Sequence, residues 1–178
     1  EIAKVFKGAD MVFVAGGLRG GTCTGAAPVV AKAAKEAGAL TIAIVTTPFS
    51  FEGSCRQGIA ETGRRLLKER VDTLITIKND KLLEVLDLKI PILNAFWACD
   101  EVLRQAVQGI SDLIVLPGII NVDFADVKTI MENSGTALFG IGRARGEGRA
   151  RNAALSAIRS PLQDISCKGA KGVLFNIS

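Results

Sequence analysis

Residues 10–37 read DMVFVAGGLRGGTCTGAAPVVAKAAKEA. The stretch opens on a short apolar run, DMVFVA (10–15), whose β-branched residues and glycine boundary predict a buried strand. It closes on AAPVVAKAAKEA (26–37), which predicts a helix stopped by Gly38. Pro28 falls in the first turn, where a missing N–H is tolerated. Between them GGLRGGTCTG (16–25) packs five glycines and two threonines into one strand-to-helix junction. That is the layout of a phosphate cradle. Glycines let backbone N–H groups converge on an anion. The helix N-terminus adds partial positive charge, and Thr22 and Thr24 add hydroxyls. No GK[ST] follows and the spacing is not GxGxxG, which excludes the two commonest phosphate-loop fingerprints. The plainer reading is a flexible βα turn. The density of glycine and threonine favours phosphate.

Working outward, LTIAIVT (40–46) and DTLITI (72–77) predict two more buried strands, and residues 1–8 read as a helix end stopped by Gly8. Residues 54–70 form a charged amphipathic helix and 79–86 a short one. Strands alternating with helices predict a parallel α/β sheet, and apolar strands without strict alternation predict helices on both of its faces. Residues 91–116 then predict one long helix, stopped by Pro117-Gly118; about 24 residues span roughly 36 Å. It reads as a spine between two lobes, residues 1–91 and 117–178, with the spine itself at 92–116. In the second lobe NVDFADV (121–127) runs into a helix ending near Asn133. Residues 136–142 look strand-like, 149–159 helical, and 172–177 (GVLFNI) like a final strand.

The 178 residues suffice for one domain or two small ones, and 48% hydrophobic with 22% charged residues is ordinary globular composition. Disorder, collagen and a disulfide-stapled miniprotein are excluded, and no run approaches the ~20 apolar residues of a membrane span. Histidine is absent, which removes Ser-His-Asp triads, Cys-His dyads and His-ligated zinc. Cys23, Cys55, Cys99 and Cys167 lie at long intervals without CxxC, as in reduced thiols of a cytosolic protein. Arg143, Arg145, Arg149, Arg151 and Arg159 make a basic run with no interleaved aromatics, so a solvated helix face is expected rather than a nucleic-acid interface.

Several further residues admit a plain reading. Glu52 and Arg56, four apart, form a helical ion pair worth a few tenths of a kcal/mol. Asn79 caps a helix, or leaves that to Asp80. Phe96 and Trp97 read as core. Asp123 reads as an N-cap, and Asp126 lies three further on, on the same helix face.

Four motifs in order, GGTCTGAAPVV, TTPFSFEGSCR, NDKLL and NVDFADV, resemble the tubulin/FtsZ family of GTPases, in its bacterial cell-division branch. The match is collinear over essentially the whole chain. The resemblance implies a tubulin-like α/β fold: a Rossmann-like parallel-sheet GTPase lobe, a long central helix and part of an α+β second lobe. It implies that Gly20, Gly21, Thr22, Cys23, Thr24 and Gly25 hold the phosphates of GTP or GDP, with Mg2+ carried by the nucleotide and no separate metal site. Glu52 and Arg56 then face ribose and phosphates, Asn79 contacts guanine, Phe96 stacks on the base, and Glu101 supplies the carboxylate that reads it. Trp97 stays in the core. Asn121, Asp123 and Asp126 become the loop that positions the attacking water. The family pattern GGGTGTG is altered at Arg19 and Cys23. Arg19 either strains a position that wants positive φ or faces the phosphates.

The glycine loop and these carboxylates fall at opposite ends of a ~36 Å helix, so each chain supplies carboxylates to its neighbour's nucleotide. Such a head-to-tail contact builds an open filament. The resemblance therefore implies a GTPase that polymerises into the septal ring in the cytoplasm at the division site, a chloroplast setting being the lesser option. A non-hydrolysing filament module is the alternative, given the altered loop. Because residue 1 is Glu and the last strand runs to the final residue, the chain is expected to be an internal piece, inactive alone. The longer protein would add the first phosphate loop and a C-terminal tail for membrane-anchoring and regulatory division proteins. No nucleic-acid partner and no direct membrane insertion are expected.

Overall fold

Strand β1 (Met11–Gly17) lies parallel to β2 (Leu40–Thr47), β2 to β3 (Thr73–Lys78), and β3 to β4 (Gly135–Ala137), giving one sheet in the order β1-β2-β3-β4. The computed structural model describes residues 2–84, 91–115, 123–158, 167, 169–175 and 177. The register aligns Met11 with Leu40 and Gly17 with Thr46, then Ile42 with Thr73 and Thr47 with Lys78. All three long strands therefore end at one edge, where chain leaves the sheet three times.

Strand β2 is buried along almost its whole length. Ala43 and Val45 pack with Val14 and Leu74 under helices α2 (Gly21–Glu36) and α3 (Ser54–Lys68). Ile42 and Ile44 point the other way, with Ile75 and Ile77, onto α5 (Ile92–Val115) and α6 (Phe124–Met131). The continuous apolar runs in the sequence have this cause: alternate side chains each meet a helix layer. The α1 turn (Ile2–Val5) precedes the sheet, and Gly8, at φ +83°, ends it as expected. The short α4 (Asn79–Leu83) follows β3, and α7 (Arg149–Ile158) comes last.

Four expectations need correction. Helix α2 begins at Gly21, five residues before the expected start, and β1 runs on through Gly17. The loop shrinks to Leu18, Arg19 and Gly20, because Leu18 N–H still bonds Thr46 O at 2.9 Å as a ladder continuation. The strand expected at 136–142 is confined to Gly135–Ala137, on the edge of the main sheet, where β3 offers a partner only to its first residues. No strand forms over the described part of 172–177: Leu174 packs on the core, but Val173, Phe175 and Ile177 are exposed and no ladder partner adjoins them. Trp97 is 67% exposed and not core. The buried face of α5 runs Ala95, Cys99, Ala106, Ile110, and Trp97 sits off that stripe. Pro117-Gly118, Asn121 and Arg159 lie outside the described residues.

One side chain ties the later segment to the sheet. The nearly buried Asp72 carboxylate accepts from Thr41 N–H at 2.9 Å and from Asn133 N–H at 3.4 Å, and pairs with Lys35 at 2.9 Å. Lys35 also donates to Asn133 Oδ1 at 2.9 Å, while Asp72 O accepts from Gly135 N–H at 2.9 Å. Asn133 holds this junction at φ 50°, a left-handed conformation that Asn tolerates better than most residues. Removing the carboxylate leaves two backbone donors and an ammonium without it. Asp72→Ala is expected to lower the unfolding free energy by about 3 kcal/mol, measured by urea denaturation.

Candidate functional site

The three turns at the C-terminal edge of the sheet converge on α5. This is where open parallel sheets bind ligands. The first turn delivers the start of α2. Gly20 is its N-cap, extended at φ −133° and ψ 174°, with no side-chain cap. Thr24 N–H bonds Gly20 O, so the amides of Gly21, Thr22 and Cys23 precede the first intrahelical bond. Their donors and the helix dipole face outward, and no acidic side chain neutralises that turn. A Cβ placed on Gly20, Gly21 or Gly25 would meet nothing within 4 Å. The fold itself leaves this space open, and a group approaching the backbone can use it.

The glycines of this region serve space, not left-handed φ. Among the described residues with positive φ, Asn133 is the non-glycine, so neither Arg19 nor Cys23 is strained. The strain reading of the altered loop is thereby overturned. Gly16 is needed because Cys23 Sγ lies 2.7 Å from where its Cβ would be. Burial holds the Cys23 thiol above its ordinary value, so it is a packing group between β1 and α2. The Thr24 methyl likewise packs against Gly63 of α3, and its buried hydroxyl has no hydrogen-bond partner among the described residues.

The base end of the site carries the sharper signal. Asn79 opens α4 and is 1% exposed, yet neither its Nδ2 nor its Oδ1 has a partner among the described residues. It does not cap the helix. Asp80 does not either: its Oδ1 accepts from Ser50 N–H at 2.8 Å, tying the turn after β2 to α4. A buried amide with both ends unpaired costs roughly 1–3 kcal/mol. A ligand edge presenting one donor and one acceptor would recover it.

Beside it, Phe96 meets Phe49 edge-on at 5.4 Å, and Phe49 stacks on Phe51 at 4.9 Å. The Arg19 guanidinium sits 4.5 Å over the Phe96 ring rather than toward the amides of α2. Glu52 and Arg56 pair at 2.9 Å as the plain reading expects, and Glu52 Oε1 also accepts from Phe49 N–H at 2.9 Å. A carboxylate has about four lone-pair sites, so two remain for a ligand hydroxyl. Cys99, buried beneath this group, is pushed up to about 12 by burial.

Glu101 is turned elsewhere. Arg104 grips both its oxygens at 2.7 and 2.8 Å, and Gln105 adds a third bond at 2.6 Å. These bonds lower its pKa to about 2. Asp100, which the sequence reading passed over, is exposed and four residues from Phe96, on the same helix face. That i,i+4 spacing was the available signal.

The carboxylates of the NVDFADV segment lie far away. Asp123 is the N-cap of α6, accepting from Asp126 N–H at 2.8 Å, as plainly read. The Asp126 side chain is exposed and makes no bond among the described residues. Phe124, between them, lines a shallow cavity with Met11, Ile114 and Val115, at the opposite ends of β1 and α5 from Arg19 and Phe96. From Phe96 to Ile114 the helix advances about 27 Å. Asn121 lies outside the described residues. One chain brings together Gly20–Gly25, Glu52, Arg56, Asn79 and Phe96, and keeps Asp123 and Asp126 apart from them.

Two measurements test these assignments. Asn79→Leu, which keeps the branched heavy-atom shape but carries no polar atoms, is expected to raise the unfolding free energy of the ligand-free protein by about 1 kcal/mol, read by thermal or urea melts. For Glu101 the folded-state pKa lies below its ordinary 4.5, so its ties to Arg104 stabilise the chain above that pH and are lost as pH falls through about 2. Carboxyl NMR is expected to show that low midpoint, with Arg104→Gln moving it up toward 4.5.

Comparison with known proteins agrees with this architecture. Residues 1–87 match the model of the Tubulin/FtsZ family GTPase domain, and residues 135–178 that of the FtsZ family C-terminal domain. An empty FtsZ dimer from M. jannaschii is similar at 49% identity and TM-score 0.86, over 90% of this chain and 47% of that one. A point mutant of M. jannaschii FtsZ gives 49% identity and TM-score 0.87, over 92% and 49%. CetZ from Methanosaeta thermophila shares the fold at 23% identity and TM-score 0.69, over 85% and 43%. The chain thus spans about half the length of the FtsZ structures it matches. With the parallel sheet, the glycine-rich α2 start and both domain models in sequence order, the chain belongs to the Tubulin/FtsZ family.

Proposed function

We propose that the protein binds and hydrolyses GTP, and that it does so as a head-to-tail filament in which each subunit completes its neighbour's site. The observation that carries this reading is the separation of two half-sites along α5. One half offers open helix amides, an unpaired buried amide and an aromatic ring. The other offers an exposed carboxylate that the fold does not use. At about 27 Å neither serves the other within one chain.

In this reading the amides of Gly21, Thr22 and Cys23 hold phosphate oxygens, and Thr22 and Thr24 hydroxyls add to them. Asn79 pairs with the guanine edge, since an amide matches one donor and one acceptor. Asp100, rather than Glu101, is the carboxylate beside the base. Arg56 keeps free donors for phosphate after pairing with Glu52. GTP, with Mg2+ on its phosphates, supplies the activated phosphoryl group. Asp126 of the neighbour, with Asn121 and Asp123, orients the water. The M. jannaschii FtsZ dimer lends the self-association its support. Filaments at the cytoplasmic division site, coupled to membrane-anchoring and regulatory division proteins, would follow from this activity. The non-hydrolysing alternative has lost its basis in backbone strain, because Arg19 and Cys23 sit at ordinary φ.

The test mixes two full-length variants, Asp126→Ala and a nucleotide-binding variant such as Asn79→Leu. Each alone should be inactive. At equal amounts about one junction in four joins a competent nucleotide to a competent carboxylate, so about a quarter of wild-type turnover should return. Absence of any recovery in mixed filaments would rule the shared site out.

A further inference from the structure

We propose that Arg19 is a gate on the base platform: its guanidinium covers the Phe96 ring in the ligand-free protein, and a purine reaches that ring only when Arg19 moves off toward the phosphates. The inference rests on the nucleotide reading above and adds to it how the site senses phosphate.

The side chain of Arg19 folds back over the end of β1. Its Nε would lie 3.5 Å from a Cβ on Gly17, so it runs along the strand end in ordinary packing contact. Its Cζ then rests 4.5 Å from the ring centroid. The guanidinium finds no hydrogen-bond acceptor among the described residues. Among these residues a cation–π contact alone holds it, and such a contact at a partly exposed site corresponds to about a two- to fivefold population bias. The gate is therefore displaceable. The ring is not, since it is braced edge-on by the fully buried Phe49, with the neighbouring Ala95 and Cys99 of α5 buried in the same cluster. Arg19 is separated only by Gly20 from the α2 amides. A rotation about its own side-chain bonds carries the planar, always charged head from the ring to an anion held there. A base without phosphate must break the stack and gains nothing for it. A base with phosphates exchanges the stack for charge-assisted hydrogen bonds. The arrangement thus makes phosphate a condition of base binding.

The test uses the full-length protein and compares guanosine with GDP by equilibrium titration. Arg19→Ala should bind guanosine about two- to fivefold tighter than wild type and narrow the preference for GDP by about tenfold. Arg19→Lys, which keeps charge but not the planar stack, should also bind guanosine tighter while retaining more of that preference. By NMR, the Arg19 Nε–H resonance of the free wild-type protein should show an upfield ring-current shift. That shift should vanish in Phe96→Leu and on adding guanosine to wild type. If wild type binds GDP but neither variant gains affinity for guanosine, the gate is wrong and the nucleotide reading stands. An unshifted Arg19 resonance in the free protein overturns the gate without reference to any variant. If wild type binds no guanine nucleotide, both fall.

Discussion

Strand β2 is buried from Leu40 to Thr46 and must be covered on both sides. Everything functional in the chain is arranged by that requirement. One face takes α2 and α3, which brings the glycine-rich helix start to the sheet edge. The other takes α5, a helix of 24 residues that outreaches the strands it covers. Its first turns stand beside the phosphate cradle, and its last turns stand beside α6. A shorter helix would cover the same strand. The surplus length is what holds Phe96 and Phe124 at opposite ends, the separation on which the proposed shared site rests.

Close approach explains the glycines better than backbone conformation does. Gly16 admits Cys23, Gly63 admits Thr24, and Gly17 lies close against Thr46. Each contact draws one element onto another near the sheet edge. Gly20, Gly21 and Gly25 are different, because the protein fills none of the room they leave. That contrast separates glycines that packing requires from glycines that leave open space, Gly16 from Gly20, Gly21 and Gly25 within one ten-residue run. Arg19 and Cys23 are tolerated in a glycine-rich pattern because both occupy ordinary φ, and Cys23 fits the space left by Gly16.

Asn79 and Asp72 show how differently two buried polar groups can be treated. Asp72 is met from several directions and ties the segment carrying β4 to the sheet. Asn79 is equally buried and left unpaired. Thr24 and Thr76 each leave one buried hydroxyl without a partner among the described residues, but Asn79 leaves both ends of an amide so, at the C-terminal edge where the proposed site lies.

The alternation of apolar strands with amphipathic helices determined the parallel α/β sheet, because helical and strand periodicities are local properties of the chain. The spacing of Asp123 and Asp126 determined a helix cap, and the length of the 91–116 stretch determined that the half-sites stand apart. Tertiary structure decided the rest. It took five residues of the glycine run into α2, because β1 continued its ladder past the expected end. It put Trp97 in solvent by the phase of the buried stripe on α5, and denied a strand to the described part of 172–177 for want of a partner edge. It turned Glu101 onto Arg104 and Gln105, partners on its own helix. It also laid Arg19 on Phe96, two residues 77 apart in the chain, which no local pattern records. Side-chain partners across such separations depend on how helices seat on the sheet, and that seating exists only once the chain has folded.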